Sequence, residues 1–199
     1  MNYRPINRRD PPTRQKDFIV NFRDFYNKNN VPQINNFETE DNEFQWQIDS
    51  LSTEAQRTLF FKSSTTTDNS WIFYGSVGTV DSEDLFGFML AVPYINEDIL
   101  EGTYTLAAGL YCDHRHSIKK GELKGWRVIA AGDATLSIKL DPVKGTVEGE
   151  FEATFAKTKP DETPEQIRPK GTFNLKRDDL KAKQYFEALA DTVWYTATK

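Results

Sequence analysis

Every cysteine and histidine of the 199-residue chain lies within residues 111–116, Tyr-Cys-Asp-His-Arg-His. Thiolate and imidazole are ligands that zinc prefers, so Cys112, His114 and His116 are the candidate metal ligands. On a β-strand the three side chains share one face, because successive side chains alternate. Neighbours on that face lie about 6.5–7 Å apart, and three in a row rarely converge on one ion. We therefore expect no bound metal and no cofactor.

Motifs for other common chemistries are missing from the sequence. The chain contains no G-x-S-x-G, no Walker phosphate loop, no G-x-G-x-x-G and no C-x-x-C. A serine triad would have to take His114 or His116 as its base. Thirty acidic residues offer many carboxylate pairs, but the sequence does not give their separation. An enzyme is the less favoured class, and no catalytic residue is assigned.

A basic stretch surrounds the same segment and extends beyond Gly121. Basic side chains on a loop can bind an anion or an acidic partner surface. A solvated hairpin tip is the simpler interpretation, and we favour it. The basic residues are Arg115, Lys119, Lys120, Lys124 and Arg127.

Composition excludes several classes of protein. Aromatic residues make up 13% of the chain, which is too many for a disordered protein. The net charge of −5 gives no reason to expect nucleic acid as a partner. The longest apolar run, residues 85–92, is far shorter than the roughly 20 residues that span a bilayer. We expect no nucleic-acid partner and no membrane span.

The N-terminal sequence and the single Cys112 predict the compartment. MNYRPINRRDPP contains no apolar core of a secretory signal, and one unpaired cysteine fits a reducing environment. We expect a cytoplasmic protein, with export by another route left open. Residues 1–28 are mainly basic, whereas residues 35–50 and 81–101 contain acidic but no basic side chains. The basic segment can lie on an acidic face of its own domain or of a second copy, so a homodimer is one option.

Apolar spacing predicts a mainly β fold. Leu136, Ile138 and Leu140 alternate with polar residues, a turn with Pro142 and Gly145 follows, and the alternation resumes through Phe155. Similar patterns predict about 9–10 antiparallel strands within residues 43–177, in a sandwich or a barrel. The other predicted strands cover residues 44–48, 57–63, 71–77, 85–92, 102–108, 110–116, 126–131 and 171–176. Residues 85–92 are apolar throughout, which predicts a central strand covered on both faces.

Helical spacing occurs at both ends of the chain. Apolar residues from Phe18 to Tyr26 predict a helix over residues 13–28, with a strand as the alternative because Phe18, Val20 and Phe22 alternate. A stripe from Ala182 to Val193 predicts a second helix over residues 179–195. Residues 1–12 offer little to bury and are expected to form a flexible arm. Residues 13–199 are then one β-rich domain.

Three stretches resemble a known type of domain. They read GTYTLAAG (102–109), ATLSIKLDPVKGTVEGEFEATF (134–155) and GTFNLKRD (171–178). They are similar to uncharacterised bacterial calycin-like or sandwich-like β-domains, often found in lipid-anchored surface proteins. The resemblance covers about residues 102–179 and implies an antiparallel β fold without an assigned activity. The lipoprotein leader is missing, so a surface location is not carried over.

These observations favour a non-enzymatic binding or protein-interaction module whose protein or small-molecule partner is unknown. Aromatic residues on alternate strand positions, such as Trp46, Phe88 and Phe151, fill a core. The same residues would also line the cup of a calycin-like carrier of a small apolar ligand, which is the first alternative. A metal-dependent enzyme that uses residues 112–116 is the second.

Overall fold

The computed structural model describes residues 42–64, 69–120, 123–157 and 165–179. Within these ranges, twelve β-strands form two antiparallel sheets, so the predicted mainly β, antiparallel fold is confirmed. The strands are β1 (Glu43–Ile48), β2 (Leu51–Glu54), β3 (Arg57–Ser64), β4 (Asn69–Val77), β5 (Phe86–Pro93), β6 (Leu100–Thr105), β7 (Tyr111–Lys120), β8 (Leu123–Ala130), β9 (Asp133–Asp141), β10 (Thr146–Lys157), β11 (Glu165–Ile167) and β12 (Lys170–Lys176). The predicted count missed β2 and β11, because these short strands have no apolar alternation.

The strands divide into two layers. Sheet A has the order β2-β1-β12-β10-β9-β6, with β11 paired to the far end of β10, and sheet B has the order β3-β4-β5-β7-β8. In the part of the chain that is described, neither sheet closes on itself. The fold is therefore a sandwich, and the barrel alternative is wrong.

Aromatic rings fill the space between the two sheets. Phe73 of sheet B stacks on Phe173 of sheet A with ring centroids 5.2 Å apart, and Phe88 of sheet B lies 5.5 Å from Phe151 of sheet A. All four side chains are buried. Burying one such side chain contributes roughly 1.5–3 kcal/mol, so these rings are a main source of the stability of the sandwich.

The predicted hairpin over residues 134–155 is confirmed as β9 and β10. Val147 lies opposite Leu140, and Phe151 lies opposite Leu136. Gly145 has φ of +67°, a left-handed conformation that favours glycine at the end of the turn. The apolar side chains face the core, and the glutamates of β10 face outward.

Strand β5 is central in sheet B, as the apolar run over residues 85–92 predicted. Its residues 87–92 are buried, which requires cover on both faces. At one end of the outer face, Val80 and Leu85 from the β4–β5 loop pack on Trp126. The outer face of sheet B is thus not a solvated surface.

The predicted strand over residues 102–108 ends at Thr105, because the Ala108 N–H donates to the Thr105 hydroxyl and starts a 3-10 turn at Leu106–Ala108.

The predicted helices are not confirmed: residues 13–28 lie outside the described residues, and so do residues 179–195 except Asp179. The arm at residues 1–12 also lies outside them. The described ranges contain no helix long and apolar enough to cross a membrane.

Candidate functional site

Strand β7 carries the predicted metal ligands on its inner face. Cys112 is fully buried in the core and His114 is 5% exposed. The His114 ring stacks on Phe86, at 5.6 Å, and on His116, at 5.3 Å, and it meets Phe155 in an edge-to-face contact at 4.8 Å. The predicted alternation is therefore present, and it directs all three side chains between the sheets.

The three side chains do not form a coordination cluster. The His114 and His116 rings are only 24° from parallel, so they present ring faces to each other and not nitrogen lone pairs. Burial, with a smaller effect of Asp113, raises the pKa of the Cys112 thiol well above its usual range and disfavours the thiolate. No group of three or more His, Cys, Asp or Glu within the described ranges could hold a metal ion. A site at Cys112, His114 and His116 stays a prediction without support from this geometry.

Both imidazoles lie in surroundings that favour the neutral form. Burial lowers the pKa of His114 to about 4, and His116 adds a smaller effect of the same sign. Burial also lowers the pKa of His116, and the positive charge of Arg127 lowers it further. Among the described residues, no carboxylate shifts either pKa.

The opposite face of β7 carries a buried ion pair that sequence reasoning missed. Asp113 accepts hydrogen bonds from the Tyr111 hydroxyl at 2.7 Å and from Arg115 Nε at 3.1 Å. Arg115 lies over the Trp126 ring at 4.9 Å and, with Asp113, is almost fully buried. The i, i+2 spacing of Asp113 and Arg115 was the available signal. Asp113 points away from the histidines, so it is not a fourth metal ligand.

In its described part, the basic stretch belongs to the paired ends of strands β7 and β8. Lys119 and Lys124 lie opposite each other at the end of the β7–β8 pair. Their ammonium groups both bind Glu83, at 3.0 and 3.2 Å, and lower its pKa. These two residues fit the predicted solvated hairpin tip. Arg115 is buried, and Arg127 lies on the inner face opposite His116.

The outer face of sheet A is an open polar surface. Strand register places its side chains in three parallel rows that cross β1, β12, β10, β9 and β6, and each position of these rows is polar. The rows contain five carboxylates and two ammonium groups, which gives a net charge of −3. The central row is Gln45, Thr172, Glu150, Ser137 and Thr103; the flanking rows are Gln47, Lys170, Glu152, Thr135 and Thr105, and Glu43, Asn174, Glu148, Lys139 and Glu101.

Two open grooves of about 580 and 610 Å³ lie on this face, and both are lined by Ser137, Glu150 and Thr172. The two hydroxyls already have partners in the sheet, since Ser137 bonds Thr103 and Thr172 accepts from Gln45, both at 3.0 Å. Glu150 is exposed and forms no hydrogen bond or ion pair with another described residue. An exposed carboxylate without a partner among the described residues therefore lies where the two grooves meet.

Sequence reasoning found part of this face. The alternation predicted through Phe155 leaves Glu148, Glu150 and Glu152 on the face opposite the apolar residues, and all three are exposed in the structure. It did not show that Thr172 and Ser137 lie directly beside Glu150, because their strands pair through long-range register.

Comparison with known protein families, with curated protein sequences and with solved structures finds no match to this chain. The resemblance to calycin-like domains stays a prediction.

Proposed function

We propose that the protein is a non-enzymatic binding module that contacts its partner through the outer face of sheet A. The observation that supports this proposal is the exposed Glu150 carboxylate, which has no partner within the described ranges and lies at the junction of two open grooves within three polar rows. An exposed carboxylate flanked by hydroxyls accepts hydrogen bonds from ammonium, guanidinium or hydroxyl groups.

The charge and size of the face select a class of partner. Its net charge of −3 favours a positively charged segment and increases the rate of encounter with one. Five neighbouring strands about 4.8 Å apart give a face roughly 20 Å wide. An extended peptide of about six residues has this length. The proposed partner is a lysine-rich segment of another protein.

The packing of the sandwich interior gives no support to the carrier alternative. A Cβ atom added at Gly149 would lie 2.4 Å from the Phe173 ring, so that ring already occupies the space beside the glycine. Gly171 has the same relationship with Phe151. The enzyme alternative also gains no support, because the residue 112–116 segment supplies no arranged set of ligands.

Binding of a labelled hexalysine peptide tests the proposal. We expect binding at low salt that weakens as salt screens the charges. Glu150→Gln removes one carboxylate and is expected to weaken binding by about two- to fivefold, the usual effect of one exposed ion pair.

Asp81→Asn is the matched control, since Asp81 is an exposed acid in the β4–β5 loop beside sheet B. This variant has the same net charge as Glu150→Gln. Equal weakening by both variants would show non-specific attraction and would contradict the proposal. Absence of binding by the unmodified protein would contradict it as well.

A further inference from the structure

Arg127 is a cation without a counter-ion in the described part of the chain. Its Nε atom is buried and has no hydrogen-bond partner. Each of the other four arginines in the described ranges donates a hydrogen bond to a protein oxygen; these are Arg57, Arg115, Arg168 and Arg177. Arg127 is the exception: it forms no hydrogen bond or ion pair with another described residue, and its charge acts on His116.

The surroundings of Arg127 make this arrangement unfavourable without an acceptor. A guanidinium stays charged in proteins, and a buried donor without an acceptor costs free energy. On β7 and β8 the same-face neighbours of Arg127 carry no side-chain carboxylate; they are His114, His116, Ile118, Gly125 and Ile129. An acceptor supplied from outside the chain would remove this cost.

Two further nitrogen atoms without hydrogen-bond partners belong to histidines of the neighbouring strand β7. His116 is directly opposite Arg127 in the strand register, and His114 stacks on His116. The Nδ1 atoms of both histidines are buried and have no hydrogen-bond partner. A neutral imidazole can donate one N–H, so the cluster offers donors from three side chains. Both Arg127 and His116 are partly exposed, which leaves a path from solvent.

The positive charge of this cluster favours an anion over a metal ion as its ligand. The charged group that acts on His116 is Arg127, and Asp113 lies on the opposite face of β7. A fixed positive charge repels a metal ion and attracts an oxyanion, whose oxygens match the donors of a guanidinium.

We propose that Arg127 and His116 bind a small oxyanion at the rim of the sandwich. His114 stacks behind His116 and holds that ring in place. This site is separate from the outer face of sheet A and does not depend on the function proposed for it.

Titration with inorganic phosphate, followed by NMR of the imidazole signals, tests the proposal. His114 and His116 are the chain's two histidines, so every imidazole signal reports on this cluster. We expect saturable shifts of the His116 signals at fixed pH, and smaller shifts for His114. Chloride at equal ionic strength is expected to leave them unchanged. Equal shifts with chloride, or no shift with phosphate, would overturn the proposal.

Variants of Arg127 locate the site. Arg127→Gln is expected to weaken phosphate binding at least about tenfold, the effect of one charge-assisted hydrogen bond. Arg127→Lys retains the charge and should keep weaker binding. Arg168→Gln removes an exposed arginine from the loop between β11 and β12 and should bind as the unmodified protein does. Equal loss in the Arg168 variant would overturn the assignment. If Arg127→Gln does not fold, the titration of the unmodified protein still decides.

Discussion

Phe173 of sheet A lies with its ring stacked between Phe73 of sheet B, at 5.2 Å, and Phe44 of its own sheet, at 5.4 Å. This ring joins the two layers, so its removal is expected to leave a cavity that the neighbouring rings cannot fill. Phe173→Ala should lower the free energy of unfolding by about 3–5 kcal/mol. Thr172→Ala, on the exposed face of the same strand, should change it by less than about 0.5 kcal/mol. Urea unfolding measures both, and a small loss for Phe173→Ala would contradict the filled core.

Gly149 and Phe173 are expected to be coupled. A Cβ atom at residue 149 would meet the Phe173 ring at 2.4 Å, so Gly149→Ala should cost about 1–3 kcal/mol through overpacking. The cost should fall sharply when Phe173 is already alanine, because the clash is then gone. Gly102→Ala is the control, since its nearest contact would be 3.9 Å away. A double-mutant cycle by urea unfolding measures the coupling, and additive costs would contradict it.

Burial of His114 predicts a specific loss of stability in acid. Its folded-state pKa is about 4, below the ordinary value of 6.5, so the unfolded chain binds the proton more tightly. The stability is fully present above pH 6.5 and is lost as the pH falls from 6.5 to 4. The loss should reach about 3 kcal/mol. His114→Phe retains an aromatic ring and should lack this part of the pH dependence. Unfolding free energies measured across this pH range compare the two proteins, and parallel curves would refute the prediction.

The buried Asp113–Arg115 pair is expected to respond asymmetrically to substitution. Asp113→Asn removes the carboxylate from a buried guanidinium and should cost about 3–5 kcal/mol. Adding Arg115→Met removes the buried charge, and the double variant should recover much of the loss. Thermal unfolding ranks the variants by their stability. A double variant less stable than Asp113→Asn alone would show that the pair itself stabilises the fold.

Cys112 is expected to be unreactive in the folded protein. The thiol is fully buried and its pKa is raised, so both access and the reactive thiolate are lacking. Iodoacetamide should label it slowly in buffer and rapidly in urea, as followed by mass spectrometry. Fast labelling of the native protein would show that β7 opens readily.

The sequence predicted those elements whose signals are local. Alternation identified β9 and β10, and the same rule placed Cys112, His114 and His116 on one face. Two features of the structure could not be predicted from the local sequence. The burial of Arg115 depends on the side chains that cover the outer face of sheet B. The position of Glu150 beside Thr172 and Ser137 depends on the register between strands that are far apart in the chain. The run of basic residues correctly predicted that Lys119 and Lys124 are exposed. Nothing in that run indicated that Arg127 points into the sandwich.

The position of β12 in sheet A has a consequence for synthesis on the ribosome. This strand lies between β1 and β10, and it pairs Phe173 with Phe44, a residue made more than a hundred positions earlier. Until β12 has emerged, β1 and β10 each keep an open hydrogen-bonding edge and the aromatic layer lacks Phe173. Contacts of such sequence separation form slowly, and open edges invite pairing with other chains. Nascent chains that stop before residue 170 should therefore be the form of this protein that most needs a chaperone.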